Sequence, residues 1–521
     1  MMRLALSIAV VVGWAATALA QRRPQVAGVV RSAATGEALP SATVLLAPRD
    51  AAQRLSRTTT GADGSFVVSG LASGAYQLMV RKPGYQVFEA SAPVTILSEG
   101  ADAARFALSL WPCGVISGRI VDWEGEPVAE AEVRAYALVY QASGARLSLA
   151  AKTESSDAGE YRLFDLPAGK YVLQVSPPRA GTPSGQFYAD TAAVYYPGAL
   201  TPSQALPVEL NWGQEITRAD VKLSPGRSYS IAGAVWDASA EGPCTKCLVQ
   251  AWQSDGPFHV SLPQTARVSR DGGFLLRGLP SGDYRLLVRQ GSSPGAVAET
   301  HASIRDRPAE GARLVVGLQQ QVTGQVILEK PPEGIDVTSW TPHLSAVALP
   351  EWWPAEHGSI DAGRQFTFGG APPARYRFEL SGLPPGAYLK ALQAGGQVLV
   401  NSEIVISQEA GVSGLEAVVA FDGATLNGRV NERAEARVFL ISEPNQTGFQ
   451  FPRTAETAPD GSFSLGSLVP GSYTLYALPA NATLQIFDPA VQASLVRYAR
   501  QFNFGPHETV TAEVSLAPSL R

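Results

Sequence analysis

The sequence predicts an all-β protein: a tandem array of about five antiparallel Greek-key β-sandwich domains following a signal peptide. Three observations predict it. A phrase made of a turn glycine, an aromatic, a leucine, a second glycine and a tyrosine recurs at domain-sized intervals, as in an array of similar modules. The 521 residues include 50 Gly and 38 Pro but only 17% charged residues, a composition rich in turns. Apolar residues alternate with the period-two pattern of half-buried strands, and long runs of helical periodicity are hard to find.

At the N-terminus, Arg3 precedes an apolar run from Leu4 to Ala16, and Ala18-Leu19-Ala20 forms a small-residue cleavage site before Gln21. This pattern predicts a signal peptide over residues 1–20, hence a secreted, periplasmic or cell-surface protein. No cysteine follows the run, so a lipoprotein anchor is not expected, and no later apolar stretch is long enough to predict a transmembrane segment. The repeats divide the rest into sandwiches at 25–112, 113–226, 227–320, 321–422 (divergent) and 423–521. Short linkers such as Ser224-Pro225-Gly226 suggest a restricted rod in preference to freely jointed beads.

Each copy opens with a strand of the form apolar-x-Gly-x-apolar: Val26 to Val30, Ile116 to Val121, Ile231 to Val235, Val322 to Val326 and Leu426 to Val430. The central Gly28, Gly118, Gly233, Gly324 and Gly428 mark a bulge or a close backbone approach. A second strand follows a Pro-punctuated turn, as at Ala42 to Leu46 after Pro40. The recurrent phrase comes next. It reads Asp63, Gly64, Phe66, Leu71, Gly74, Tyr76 in the first copy and Gly159, Tyr161, Leu166, Gly169, Tyr171 in the second. The third reads Asp271, Gly272, Phe274, Leu279, Gly282, Tyr284, and the fifth Asp460, Gly461, Phe463, Leu468, Gly471, Tyr473. A degenerate fourth ends Leu383, Gly386, Tyr388. Asp-Gly predicts a tight hairpin turn, and the tyrosine after the second glycine resembles a tyrosine corner, whose hydroxyl bonds backbone a few residues upstream. Two further strands close most copies.

These residues carry a family resemblance. Gly28, Val30, Pro40, Thr60, Asp63, Gly64, Phe66, Gly70, Leu71, Gly74 and Tyr76 together resemble the carboxypeptidase regulatory-like domain, a transthyretin-like (prealbumin-like) sandwich related to starch-binding-like domains and collagen-adhesin B-type repeats. The match is good in copies one, two, three and five and poor in copy four. The resemblance implies an extracellular accessory or adhesive module. A metallocarboxypeptidase would add a His-x-x-Glu site, and none of His259, His301, His343, His357 or His507 has that context. Adhesin repeats often carry a Lys–Asn cross-link, but no lysine lies in the five opening strands.

Chemistry is sparse. Net charge is −5, with no Lys/Arg cluster to track phosphates, so nucleic acid is not an expected partner. In Cys244-Thr245-Lys246-Cys247 the pair precedes a strand, which favours a local disulfide over a metal half-site or a redox motif, and Cys113 reads as a buried thiol. Gly291-Ser292-Ser293-Pro294-Gly295 fits G-x-S-x-G formally but lacks the strand–helix context of a nucleophile elbow. Glu154, Asp157 and Glu160 lack the ligand spacing of a calcium loop. No catalytic residue, cofactor or metal is therefore expected. Aromatic insertions are the better lead: Phe187, Tyr188, Tyr195 and Tyr196 in copy two, and Trp340, Trp352 and Trp353 near His343 and His357 in copy four. Tyr188, Tyr195, Tyr196, Trp340, Trp352 and Trp353 are candidate ligand-binding residues, by stacking on sugar faces or acting as protein hot spots, or else they fill junctions between sandwiches. The function expected is a noncatalytic secreted or cell-surface scaffold binding an extracellular protein or polysaccharide. The alternatives are a dedicated starch-binding-like carbohydrate-binding protein and, less favoured, an enzyme with an unfamiliar site.

Overall fold

A computed structural model describes residues 25–517 apart from 51–53, 90–93, 97–103, 142–143, 179–184, 186, 189–190, 225–227, 257, 292–295, 351, 432–435, 443–451, 459 and 480–484. The signal-peptide region and Ser292–Gly295 lie outside the described residues. Those described form five two-sheet β-sandwiches. The chain divides into two compact units, one of Met1–Gly114, Phe164–Ala168 and Asn211–Gln214, the other of Val115–Leu163, Gly169–Leu210 and Glu215–Arg521.

In the first unit, strand Gln25–Ser32 lies between Ser65–Ser69 and Ala104–Leu110, and Thr43–Pro48 lies between Ser56–Thr59 and Gly74–Arg81 in the opposing sheet. Val26, Val30, Val44, Leu46, Leu78 and Val80 fill the space between the sheets with no exposed surface. Burying such a branched side chain contributes about 1.5–3 kcal/mol before entropy is counted. The sheets are antiparallel except at one seam. In every copy the opening and closing strands pair in parallel, as in Val26↔Ala104, Val115↔Glu215, Val235↔Leu314, Val326↔Ala417 and Leu426↔Val510.

The Asp-Gly turn is not a hairpin. Ser56–Thr59 and Ser65–Ser69 belong to different sheets, so the turn at Asp63-Gly64 is an arch carrying the chain across the core. Gly64 adopts φ +74, and the Asp63 carboxylate accepts from the Ser65 N–H (3.0 Å) and hydroxyl (2.6 Å), which hold its pKa below the usual range. Asp460 does the same with Ser462.

The opening-strand glycine marks a close approach. A Cβ on Gly28 would lie 2.4 Å from the Phe106 carbonyl oxygen and 2.7 Å from the Phe66 ring, and Gly233 and Gly428 face Phe274 and Phe463 in the same way. The opening-strand glycine of each of these copies therefore accommodates the aromatic of that copy's own phrase.

The same pairing relocates the phrase in copy four. Gly324 pairs with Phe366, and Tyr376, fully buried, occupies the next strand, Arg375–Ser381. Asp361 to Tyr376 is the fourth phrase. Leu383, Gly386 and Tyr388 instead lead into an added strand, Tyr388–Ala394, that extends one sheet to six strands. Arg364, at φ +64, stands where the other copies have glycine.

Within the second unit, sandwiches two to five pack through outward sheet faces. The core of copy four continues onto Leu287 and Val297 of copy three. Tyr136, Leu138, Val172 and Tyr195 of copy two pack on Val260 of copy three. In copy five, the helix Pro489–Leu495, capped by the Asp488 carboxylate on the Ala490 N–H, places Leu495 against Tyr476 and Leu478. Contacts within this unit are not confined to chain neighbours: Gln485 of copy five accepts from the Tyr140 N–H of copy two at 2.8 Å, and Asp488 pairs with Lys170 at 3.3 Å.

Candidate functional site

The phrase tyrosines are structural. The hydroxyls of Tyr76, Tyr284 and Tyr473 donate to the carbonyls of Ala72 (3.1 Å), Pro280 (2.5 Å) and Val469 (2.8 Å), each four residues upstream. These are tyrosine corners. Cys244 and Cys247 are disulfide-bonded, with Cα atoms 5.6 Å apart. Cys113 is a free, half-buried thiol that burial, with the Asp165 charge adding, pushes up to about 11.

Three of the six candidate aromatics have no face open for stacking. Trp340 is 3% exposed and Trp353 5%, both within the core of copy four, and the Trp353 indole N–H donates to the Tyr376 hydroxyl at 3.0 Å. Tyr195 has no exposed surface: it accepts from the Gln174 amide and donates to Gln253 of copy three, both at 2.9 Å. Burial raises its pKa well above the usual value, so it stays a neutral donor. Trp352 is partly buried at the junction of copies three and four, with the Arg289 guanidinium 5.7 Å from its ring centroid. Tyr188 stacks edge-on against Trp123 and donates to Asp122 at 3.3 Å, and Tyr196 is half-buried. Tyr195 and Trp352 thus sit at junctions between sandwiches, while Trp340 and Trp353 fill the core of copy four.

Two open surfaces stand out among the described residues. The first is a cleft of about 440 Å³ between sandwiches three and four, lined by His259, Arg285, Glu299, His301, Arg375 and Gln408 among others. At its floor the Arg285 guanidinium grips Glu299 through two bonds of 3.0 Å and donates to the Ala348 carbonyl at 2.7 Å, with both charged side chains 10% exposed. At its rim His301 is 72% and Arg375 61% exposed. Burial, with the Arg285 charge adding, lowers the His259 pKa. The cleft carries recognition chemistry: a closed ion pair below, and above it the exposed Arg375 guanidinium, 3.8 Å from Glu403, and the exposed His301 imidazole, 3.7 Å from Glu299.

The second is a groove of about 390 Å³ on copy three, lined by Trp236, Pro243, Asp271 and Arg313. Trp236 is 43% exposed, and Leu275 on the same sheet 41%. Sequence reasoning missed Trp236 although its signal was present: Ile231 and Val235 point inward, so alternation turns Trp236 outward.

Among the described residues, no group of three or more His, Cys, Asp or Glu side chains is arranged to hold a metal ion. No helix is long and apolar enough to cross a membrane among those residues. His343 and His357 form a cross-strand pair, Nδ1 to Nδ1 2.6 Å, and His343 Nε2 lies 2.5 Å from Ser381 Oγ. Ser381 Oγ also lies 3.3 Å from the Thr341 carbonyl oxygen, which accepts the hydroxyl proton when His343 Nε2 carries its own.

Residues 25–109 and 115–224 match the carboxypeptidase regulatory-like domain. Comparison with curated proteins gives no match. Among solved structures the chain is similar to a streptococcal ancillary pilin (12% identity, 56% of this chain and 99% of that one, TM-score 0.18). It is also similar to BcpA, the major pilin subunit of Bacillus cereus (9%, 57% and 99%, TM-score 0.17). Two B repeat units of the collagen binding protein of Staphylococcus aureus are a further match (11%, 70% and 93%, TM-score 0.14). At such TM-scores the likeness carries no argument about function.

Proposed function

We propose, for a chain whose first two sandwiches are carboxypeptidase regulatory-like domains, the role of a noncatalytic, secreted or cell-surface scaffold that holds an extracellular protein or an acidic polysaccharide. One observation carries the reading. The cleft between sandwiches three and four sets the exposed Arg375 guanidinium and the His301 imidazole, a hydrogen-bonding ring, around a closed Arg285–Glu299 pair, an arrangement suited to a carboxylate. Packing between these sandwiches pre-organises the cleft, which lowers the ordering cost of binding.

The test is retention of the chain beginning at Gln21 on immobilised acidic and neutral polysaccharides and on an acidic peptide, repeated with Arg375→Ala. Retention on an acidic ligand that falls at least tenfold in the variant supports the reading; equal retention of both proteins removes the cleft from it.

A second reading, carbohydrate binding, is favoured by the exposed Trp236 in its groove, because a flat indole beside Asp271 and Arg313 can stack on a sugar while polar groups reach its hydroxyls. Neutral polysaccharide retained by the wild type and lost in Trp236→Ala would favour it; no retention of any sugar would exclude it.

A further inference from the structure

We propose that His343 and His357 form a two-histidine site for a late first-row divalent transition ion, copper(II), nickel(II) or zinc(II), on the outward sheet face of the fourth sandwich. The two residues stand directly opposite each other, on Thr341–Ala346 and Glu356–His357, and their ring planes meet at 86° with Nδ1 atoms 2.6 Å apart.

The backbone beneath the pair is fixed. The Gly358 N–H donates to the Pro342 carbonyl at 2.9 Å, and Leu344, Phe368 and Phe378 below are buried. The site therefore needs little ordering beyond the half-buried His343 and exposed His357 side chains.

The facing geometry selects Nδ1 of both rings as the ligand atoms, since the two lie 2.6 Å apart. Ser381 Oγ, within reach of both His343 Nε2 and the Thr341 carbonyl, can accept the Nε2 proton while donating to that carbonyl, which leaves the His343 Nδ1 lone pair for the ion. A ligating histidine commonly has its second ring nitrogen fixed in this way by an outer partner.

Without metal, one ring supplies the Nδ1 proton shared between them. When the ion enters, that proton leaves Nδ1 and the neutral ring carries its proton on Nε2, so both Nδ1 lone pairs face the ion. Metal–nitrogen bonds of about 2.0–2.1 Å in tetrahedral geometry put the two nitrogens about 3.3 Å apart. The pair must open by about 0.7 Å, a small side-chain rotation for groups on an open face. Water fills the remaining positions. Imidazole donors select copper, nickel and zinc over magnesium and calcium, which prefer oxygen.

The experiment is calorimetric titration of the untagged chain beginning at Gln21 with copper(II), nickel(II), zinc(II), magnesium and calcium. The expected result is one equivalent of a transition ion bound and neither magnesium nor calcium. His357→Ala and His343→Ala should each weaken binding at least tenfold, and Ser381→Ala about tenfold by freeing the tautomer. His259→Ala and His301→Ala should leave it unchanged. Circular dichroism of each variant reports folding, and His357, being exposed, gives the variant that reads the site without disturbing the core. Absence of a one-to-one transition, or equal affinity in wild type and His357→Ala, overturns the proposal.

Discussion

Replacing Gly324 by alanine tests the claim that the opening-strand glycine exists to admit its neighbours. A Cβ there would lie 2.3 Å from the Leu415 carbonyl oxygen and 2.4 Å from Phe366 Cζ. An ordinary carbon–oxygen contact is about 3.3 Å, so the parallel strands must part by about 1 Å. That stretches the ladder running from Gly324↔Leu415 to Glu329↔Ala420 beyond hydrogen-bonding range near the insertion. Two or three bonds at about 1 kcal/mol each, with about 1 kcal/mol for a Phe366 ring driven off its rotamer, give a loss of about 3 to 4 kcal/mol. Gly369 is the matched control: it lies in the paired strand Gln365–Ala371 with ordinary backbone angles, and a Cβ added to it would meet nothing within 4 Å. Gly369→Ala should change stability by less than about 1 kcal/mol. Because several sandwiches are present, the readout is local: hydrogen exchange of peptides covering Gln320–Glu329, where opening should become about 300-fold more frequent in Gly324→Ala. Equal protection in the two variants would refute the reasoning.

Other consequences can be measured on the same chain. Tyr284→Phe leaves the buried Pro280 carbonyl without its donor and should cost sandwich three about 1–2 kcal/mol in denaturant, with an unchanged midpoint counting against the corner. Glu299→Ala leaves a buried guanidinium unpaired, at a cost of about 3 kcal/mol, and adding Arg285→Leu should restore much of it; an additive double variant would contradict the coupling. Cys113, its thiol raised to about 11, should alkylate far more slowly than free cysteine at pH 8 and accelerate as pH approaches 11, because only the thiolate reacts. Reducing Cys244–Cys247, whose loop is short, should lower stability by about 2 kcal/mol at most.

What the sequence revealed tracks how local the determinant is. The tyrosine corners were legible because donor and acceptor are four residues apart. The Asp-Gly arch was misread as a hairpin because alternation on either side of a turn is the same whether the strands share a sheet or face each other across a core. Copy four was misaligned because Arg364 occupies the left-handed position that glycine holds elsewhere, while Leu383, Gly386 and Tyr388 imitate the phrase. The histidine pair, 14 residues apart, is visible only once strand register is known. The burial of Tyr195 has a longer-range reason. Nothing in the residues around Tyr195 says that Gln253, on another sandwich, will cover it.

Inward faces carry the phrase and are nearly the same in every copy, so any distinction in function must come from outward faces. Several of those are already covered: Tyr136 and Tyr195 by sandwich three, Leu287 and Val297 by sandwich four, Tyr476 and Leu478 by the helix of sandwich five. A buried outward aromatic such as Tyr195 therefore supports the stability of its junction, and its removal should register as lost cooperativity between sandwiches. Trp236, Arg375 and His357 sit outward and uncovered. Their removal should alter what the chain holds while leaving unfolding unchanged. If Trp236→Ala or Arg375→Ala instead destabilised the protein as much as Tyr195→Ala, those surfaces would be structural too, and the division between covered and uncovered faces would have no functional meaning.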